Sequence, residues 1–197
     1  LNVGCGFTVA SGWINVDGSL NALFSILPSF LLKYVYMFSG ARKQFSCDEY
    51  LSILKNHNFL CLDLTKKLPF KNNSMEYIFS SHFLEHLTQQ DGMNLIKELN
   101  RVLTYNGKIR IAVPDLNYVM GLYQIDKRKM LKQYFFLNNK SFYSNHRYMY
   151  DFELLEELLI STGFKKITRS SYQGSDFPDS KILDSYPEET LFVEATK

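Results

Sequence analysis

The chain has 197 residues, 46% apolar and 21% charged, which suits one globular domain with a sizeable core. A net charge of +2, with no long Lys/Arg run, offers no nucleic-acid footprint. Cys5, Cys47 and Cys61 are odd in number and lack C-x-x-C spacing, which argues against a disulfide framework or zinc knuckle and for a reducing, cytoplasmic setting. The chain starts on a strand and without Met, so further residues are expected before Leu1.

Leu1-Asn2-Val3 reads as the end of a buried strand, followed by a turn in which Gly4 and Gly6 remove side chains where the backbone must bend. Trp13 to Val16 is apolar and β-favouring, a second strand ending at Asp17. A glycine turn after one strand and a carboxylate at the tip of the next is how an open α/β sheet holds a nucleoside. The spacing excludes a dinucleotide fingerprint: Asp17 follows Gly6 by 11 positions where about 20 are expected, and Val9 stands where a third glycine belongs.

Asn21 to Phe38 is apolar but broken by Pro28 and Lys33, too short for a confident membrane span. It reads as one or two helices covering a sheet edge or pocket, with a substrate lid or a membrane-surface patch through 21–38 as the sharper readings. Asp48 to Lys55 is a further short helix, and Asn58 to Leu62 the third strand, ending at Asp63. Met75 to Ser80 is the fourth strand and Asp91 to Leu103 an amphipathic helix. Asn106-Gly107 is expected to close that helix before a fifth strand from Lys108 to Val113. Leu116 to Phe136 reads as an irregular helix and Leu137 to Tyr150 as a polar, aromatic loop. Asp151 to Ser161 reads as a helix capped by Asp151 and stopped by Gly163. Phe164 to Ser170 and Thr190 to Ala195 form a closing strand pair, with Tyr172 to Pro187 as a surface loop. Strands alternating with helices and ending in a pair predict an α/β, mainly parallel sheet with one antiparallel edge.

The order of these features resembles class I S-adenosylmethionine-dependent methyltransferases, most closely the small bacterial type 11-like enzymes found with surface-polysaccharide genes. The resemblance runs through Leu1–Gly6, Gly12–Asp17, Leu62-Asp63-Leu64, Leu68-Pro69-Phe70, Ser80–Leu87, Glu98–Leu103 with Gly107, and Glu189–Lys197. It implies a seven-stranded Rossmann-like sheet, in one domain over 1–197 with a helical insertion about 20–58. By resemblance, Gly4, Cys5 and Gly6 lie along the methionine and ribose of S-adenosylmethionine (product S-adenosylhomocysteine), and Asp17 takes the ribose hydroxyls. Asp63 faces the adenine amino group, Leu64 lines the ring, and Ser80, Ser81 and His82 stand beside the transferred methyl. Asn2 occupies a position that is commonly acidic in the family, so it brings no charge to the cofactor's amino group. Each has a plainer reading: Asp17 as a turn cap, Asp63 as an Asx turn, Cys5 as a small buried residue.

His82-Phe83-Leu84-Glu85-His86 also spells H-x-x-E-H, a zinc peptidase motif. That reading needs a third ligand on a following helix, where Glu98 is too close, and it leaves the glycine turn unexplained; no metal site is assigned. In the resembled family, Leu84 packs inward while Glu85 and His86 cap and brace a helix. A hydroxyl acceptor benefits from a general base, for which His82, His146 and Asp115 are the candidates. Arg147 is either a surface charge or a contact for an anionic acceptor. The expected activity is methyl transfer to a sugar or surface-glycan hydroxyl, with acceptor choice made by 20–58 and 137–150. A non-catalytic scaffold that keeps the fold is the alternative. Nothing in the sequence sets an oligomeric state.

Overall fold

The computed structural model describes residues 1–135 and 145–197. Its centre is a seven-stranded sheet: β1 (Asn2–Val3), β2 (Ile14–Asp17), β3 (Asn58–Cys61), β4 (Met75–Ser81), β5 (Leu103–Pro114), β6 (Lys165–Ser170) and β7 (Thr190–Thr196). The strand order is β3-β2-β1-β4-β5-β7-β6. β1 to β5 run parallel to one another, and β7 runs antiparallel to both β5 and β6. The chain moves outward from β1 through β2 to β3, then returns to β4 on the other side of β1. The crevice at the carboxyl ends of β1 and β4 is therefore the topological switch point, where open α/β sheets bind ligands.

Strand periodicity divides the faces of the sheet. Ile109, Ile111 and Val113 of β5 join Leu191, Val193 and Ala195 of β7 in the main core. There they meet Leu95, Ile96, Leu99 and Val102 of α4 (Gln89–Val102) and Leu155 and Leu159 of α7 (Phe152–Ser161). Thr88 caps α4 by accepting from the Asp91 N–H, and Asp151 caps α7 by accepting from Leu154. The opposite face carries Phe79 of β4, which packs with Ala10, Trp13, Phe177 and Leu183.

The expected helices over 20–58 are α1 (Leu20–Phe24), α2 (Ser29–Phe38) and α3 (Cys47–Asn56). Pro28 stands at the N-cap of α2, and Ser46 and Glu49 form a reciprocal capping box on α3. Leu32, Ala41, Tyr50 and Leu54 give these helices their own small core, which adjoins β3 through Phe59. Further along are α5 (Leu116–Ile125), α6 (Lys127–Met130) and a π turn over Leu131–Phe135. The part of the expected polar loop at 136–144 lies outside the described residues.

Two expectations are corrected. Asn106-Gly107 does not end α4, which stops at Val102; the pair sits inside β5. Pairing jumps from Met75↔Leu103 to Tyr77↔Lys108, so residues 104–107 bulge out, with Asn106 at φ 62°. The segment Tyr172 to Pro187 is no surface loop. It contains α8 (Ser180–Leu183) and buries Phe177, Leu183 and Asp184 against the sheet. The cause is Arg110, whose place in the β5 alternation points it to this face, fully buried. Its guanidinium donates to both Asp184 oxygens (2.9 and 2.6 Å), to Glu194 (2.5 Å) and to the Ser171 carbonyl (2.8 Å). A buried arginine needs such partners, and the segment folds back to supply them.

Candidate active site

The glycine turn leaves β1 beside β2, held by the Gly4 and Cys5 N–H groups donating to the Val16 carbonyl (2.8 and 3.3 Å). Gly4 and Gly6 both adopt positive φ (65° and 52°). A Cβ at Gly4 would collide with Phe83, but one at Gly6 would meet nothing within 4 Å. The bareness of Gly6 thus has no packing explanation within the protein. It leaves a cradle along the wall of a cleft of about 200 Å³, whose lining includes Asn2, Gly4, Cys5, Gly6, Ser81, His82, Ser185 and Tyr186. Pockets that enclose a whole drug-sized ligand run to about 300–1,000 Å³, so this one is sized for part of a larger molecule.

Asp17 ends β2 beside this turn. One carboxylate oxygen accepts from the Gly6 N–H (2.9 Å) and the other from Ser19 (2.7 Å). Each oxygen retains a second acceptor site, so the turn-cap and ligand-binding readings are compatible. Asn2 is buried, and its amide nitrogen donates to the Thr8 carbonyl (2.8 Å) and to Asn15 (2.9 Å), which shapes the loop behind the cleft. Cys5 is buried as well, and burial pushes its thiol well above the ordinary range, which suits a packing residue rather than a nucleophile. Asp63 forms an Asx turn, one oxygen accepting from the Thr65 N–H (3.0 Å) and hydroxyl (2.7 Å); these bonds, the hydroxyl's foremost, hold its carboxyl below the usual range. Leu64 and Ser80 are buried, Leu64 within the main core.

The end of β4 brings His82 into the cleft. Its backbone has φ 49°, costly for a residue with a Cβ, and its N–H donates to the Ala112 carbonyl (2.9 Å). The imidazole Nε2 lies 3.0 Å from the Thr190 hydroxyl, and the ring stands edge-on to Tyr186 (centroids 5.0 Å apart). Ser81 lies across from Ser185, Oγ to Oγ 3.4 Å. Asp115 caps α5 by accepting from the Asn117 N–H (2.9 Å).

His146 is not among the cleft-lining residues. It packs against His86 (ring centroids 5.1 Å) and Tyr134 (6.0 Å), and burial lowers its imidazole below the ordinary value. The turn that follows His82 departs from expectation. Leu84–His86 is a single 3-10 turn, so His82 and His86 do not share a helix, and Glu85 caps nothing, Thr88 doing so for α4. Glu85 is instead fully buried beside His82, His86 and His146. Glu85, Ser185 and Tyr186 stand at the site without a signal in the sequence beyond the H-x-x-E-H spacing that contains the first.

Residues 1–111 match the family described as Methyltransferase domain (Methyltransf_11). The chain belongs to this family and is a methyltransferase, for which S-adenosylmethionine is the cofactor. No curated protein matches the sequence. Among solved structures, a SAM-dependent methyltransferase from Thermotoga maritima, described as a possible histamine N-methyltransferase, superposes with a TM-score of 0.59 at 16% identity, over 100% of this chain and 80% of that one. One from Archaeoglobus fulgidus gives 0.55 at 16% identity, over 100% and 84%. One from Mesorhizobium loti gives 0.52 at 15%, over 100% and 89%. At these identities the structures speak for the fold alone. The residues present fit the cofactor: an open glycine cradle, a carboxylate at the β2 tip and a cleft at the switch point.

Proposed function

We propose that the chain transfers the methyl group of S-adenosylmethionine to a hydroxyl of a sugar or surface-glycan precursor. The observation that carries the cofactor's place is the cradle at Gly6, empty of protein atoms and tied by its N–H to the Asp17 carboxylate. Gly4, Cys5 and Gly6 would hold the methionine and ribose portion, with Asp17 on the ribose hydroxyls and Asp63 toward the base. When bound, the sulfonium supplies an already activated methyl group, so the chain's own work is alignment and exclusion of water. His82 is the base this geometry favours. It alone of His82, His146 and Asp115 lines the cleft. The sugar or glycan acceptor rests on the family resemblance.

Calorimetry with S-adenosylmethionine and S-adenosylhomocysteine, with NAD as control, tests the reading. Micromolar binding is expected, weakened at least about tenfold, or 1.4 kcal/mol, by Asp17→Ala. A folded protein that binds neither ligand overturns it in favour of a scaffold.

The outer surface of α1 and α2 belongs to the same reading. Ile26, Phe30 and Phe38 are all more than half exposed, and between Asp17 and Asp48 the chain carries Lys33, Arg42 and Lys43 with no acidic residue. An apolar face with only positive charge fits an anionic lipid surface, where a membrane-borne glycan precursor would be met. No described helix is long and apolar enough to cross a membrane.

A further inference from the structure

Glu85 poses a problem that the methyl-transfer reading does not solve. Its side chain is 1% exposed, and neither carboxylate oxygen has a hydrogen-bond partner among the described residues. Two imidazoles approach it, His82 Nδ1 at 3.6 Å and His86 Nε2 at 3.8 Å from Oε1, both beyond hydrogen-bonding range. A buried carboxylate is heavily penalised unless a positive charge compensates it. Beside it, His146 Nδ1 is also buried without a partner. One ligand atom from each of Glu85, His86 and His146 falls within 4.8 Å of the other two.

We propose that Glu85, His86 and His146 bind one divalent transition-metal ion of the zinc class. Two imidazoles and a carboxylate are a borderline-soft set that suits zinc and leaves a fourth position open. Tetrahedral bonds of roughly 2.0–2.2 Å set ligand atoms roughly 3.4 Å apart, so these groups, within 4.8 Å of one another, must close by up to about 1.4 Å on binding. The supporting shell already has the form that metal-binding histidines need. His86 points Nε2 at Glu85 while Nδ1 lies 3.3 Å from the Asn145 carbonyl, which fixes the tautomer and the ring. The two chain segments that supply the ligands are joined directly. The Glu85 carbonyl accepts from the Arg147 N–H (2.7 Å) and the Tyr148 N–H (3.2 Å). His82 links the two places, with Nδ1 3.6 Å from Glu85 Oε1 and its side chain among the residues that line the cleft. This is a different ligand set from the H-x-x-E-H zinc motif, in which both histidines of one helix bind and the glutamate is the base.

The site is tested without the methyl donor, so its failure and the failure of the donor reading are separate results. Tag-free protein stripped by a chelator is titrated with Co²⁺ and followed by ligand-field absorption, then with Zn²⁺ in competition. One equivalent of Co²⁺ is expected to bind and to be displaced by Zn²⁺. Glu85→Gln and His146→Gln should each weaken binding at least tenfold, while His57→Gln, at the C-cap of α3 and outside the ligand cluster, should leave it unchanged. In case either variant fails to fold, Zn²⁺ added to the wild-type protein should shift the ¹⁵N resonances of the His86 and His146 rings and leave those of His57. Absence of a saturable one-equivalent site, full affinity in both folded variants, or unmoved His86 and His146 resonances would each overturn the proposal.

Discussion

A Cβ built on Gly4 lies 2.1 Å from Phe83 Cγ, while one built on Gly6 has open space on every side. The two glycines therefore answer to different pressures, although both hold positive φ. Gly4→Ala must displace the Phe83 ring and is expected to lower the unfolding free energy by about 2–4 kcal/mol, overpacking and backbone strain together. Gly6→Ala carries only the backbone cost, about 1 kcal/mol, but its methyl group enters the cradle. Denaturant melts paired with calorimetry should show stability lost mainly in the first variant and donor affinity mainly in the second. Full S-adenosylmethionine affinity in Gly6→Ala would remove the cradle from the site. Both glycines could be singled out in the sequence because a strand that ends in G-x-G announces its own turn. Glu85 could not, because its significance comes from His146, which a different segment delivers to it.

At the scale of elements, the clearest electrostatic tie is the C-terminal turn of α4. Arg101 donates to both Glu98 oxygens (2.8–3.1 Å), to the Leu68 carbonyl (3.0 Å) and to the Phe70 carbonyl (2.9 Å), pinning the loop after β3 to the helix. The hydrogen bonds from Arg101 hold the Glu98 carboxyl below its ordinary 4.5. The sign follows from that depression: the tie's contribution is complete above pH 4.5 and is lost as pH falls through the lower folded-state value. Both side chains are about one-fifth exposed, so the contribution is about 1 kcal/mol. Glu98→Gln should accordingly be less stable than wild type at pH 7 and converge on it in acid, as followed by urea melts across pH 3–7. The cap at Asp151 involves near neighbours and is readable from residue type and spacing, whereas Arg101's reach to Leu68 and Phe70 depends on the fold. The β5 bulge was not readable either, because Asn-Gly signals a turn without saying whether a helix end or a strand surrounds it. The lipid surface proposed for α1 and α2 is tested at this scale too. Cosedimentation with phosphatidylserine-containing vesicles is expected, with little on pure phosphatidylcholine and loss in Phe30→Ser/Phe38→Ser. Equal recovery of both proteins would exclude that face.

Across the whole molecule, Arg110 links the sheet to the cleft. It is a cation in the middle of a buried strand, and local sequence gives no sign of it beyond its place in the alternation Lys108 to Val113. The Ser, Asp and Pro content of Tyr172 to Pro187 therefore predicts a surface loop. What folds that segment inward is long-range: Asp184 pairs with Arg110, and its Oδ2 also accepts from the Gln173 N–H (2.8 Å). Trp13 reinforces the docking by donating to Asp179 (2.8 Å). The residues immediately after Asp184 are Ser185 and Tyr186, which line the cleft. The ion network thus lies next in sequence to two residues that line the cleft. Arg110→Met should destabilise the fold by about 3–5 kcal/mol, because Asp184 and Glu194 lose their counter-charge. Pairing it with Asp184→Leu should restore part of that stability, since one stranded carboxylate is removed. Donor affinity should not recover in parallel, because apolar packing replaces the bonds that set the position of Ser185 and Tyr186. Urea melts and calorimetry on the single and double variants decide it. A double variant with wild-type donor affinity would make the network structural only, and an Arg110→Met protein within 1 kcal/mol of wild type would remove it from both roles.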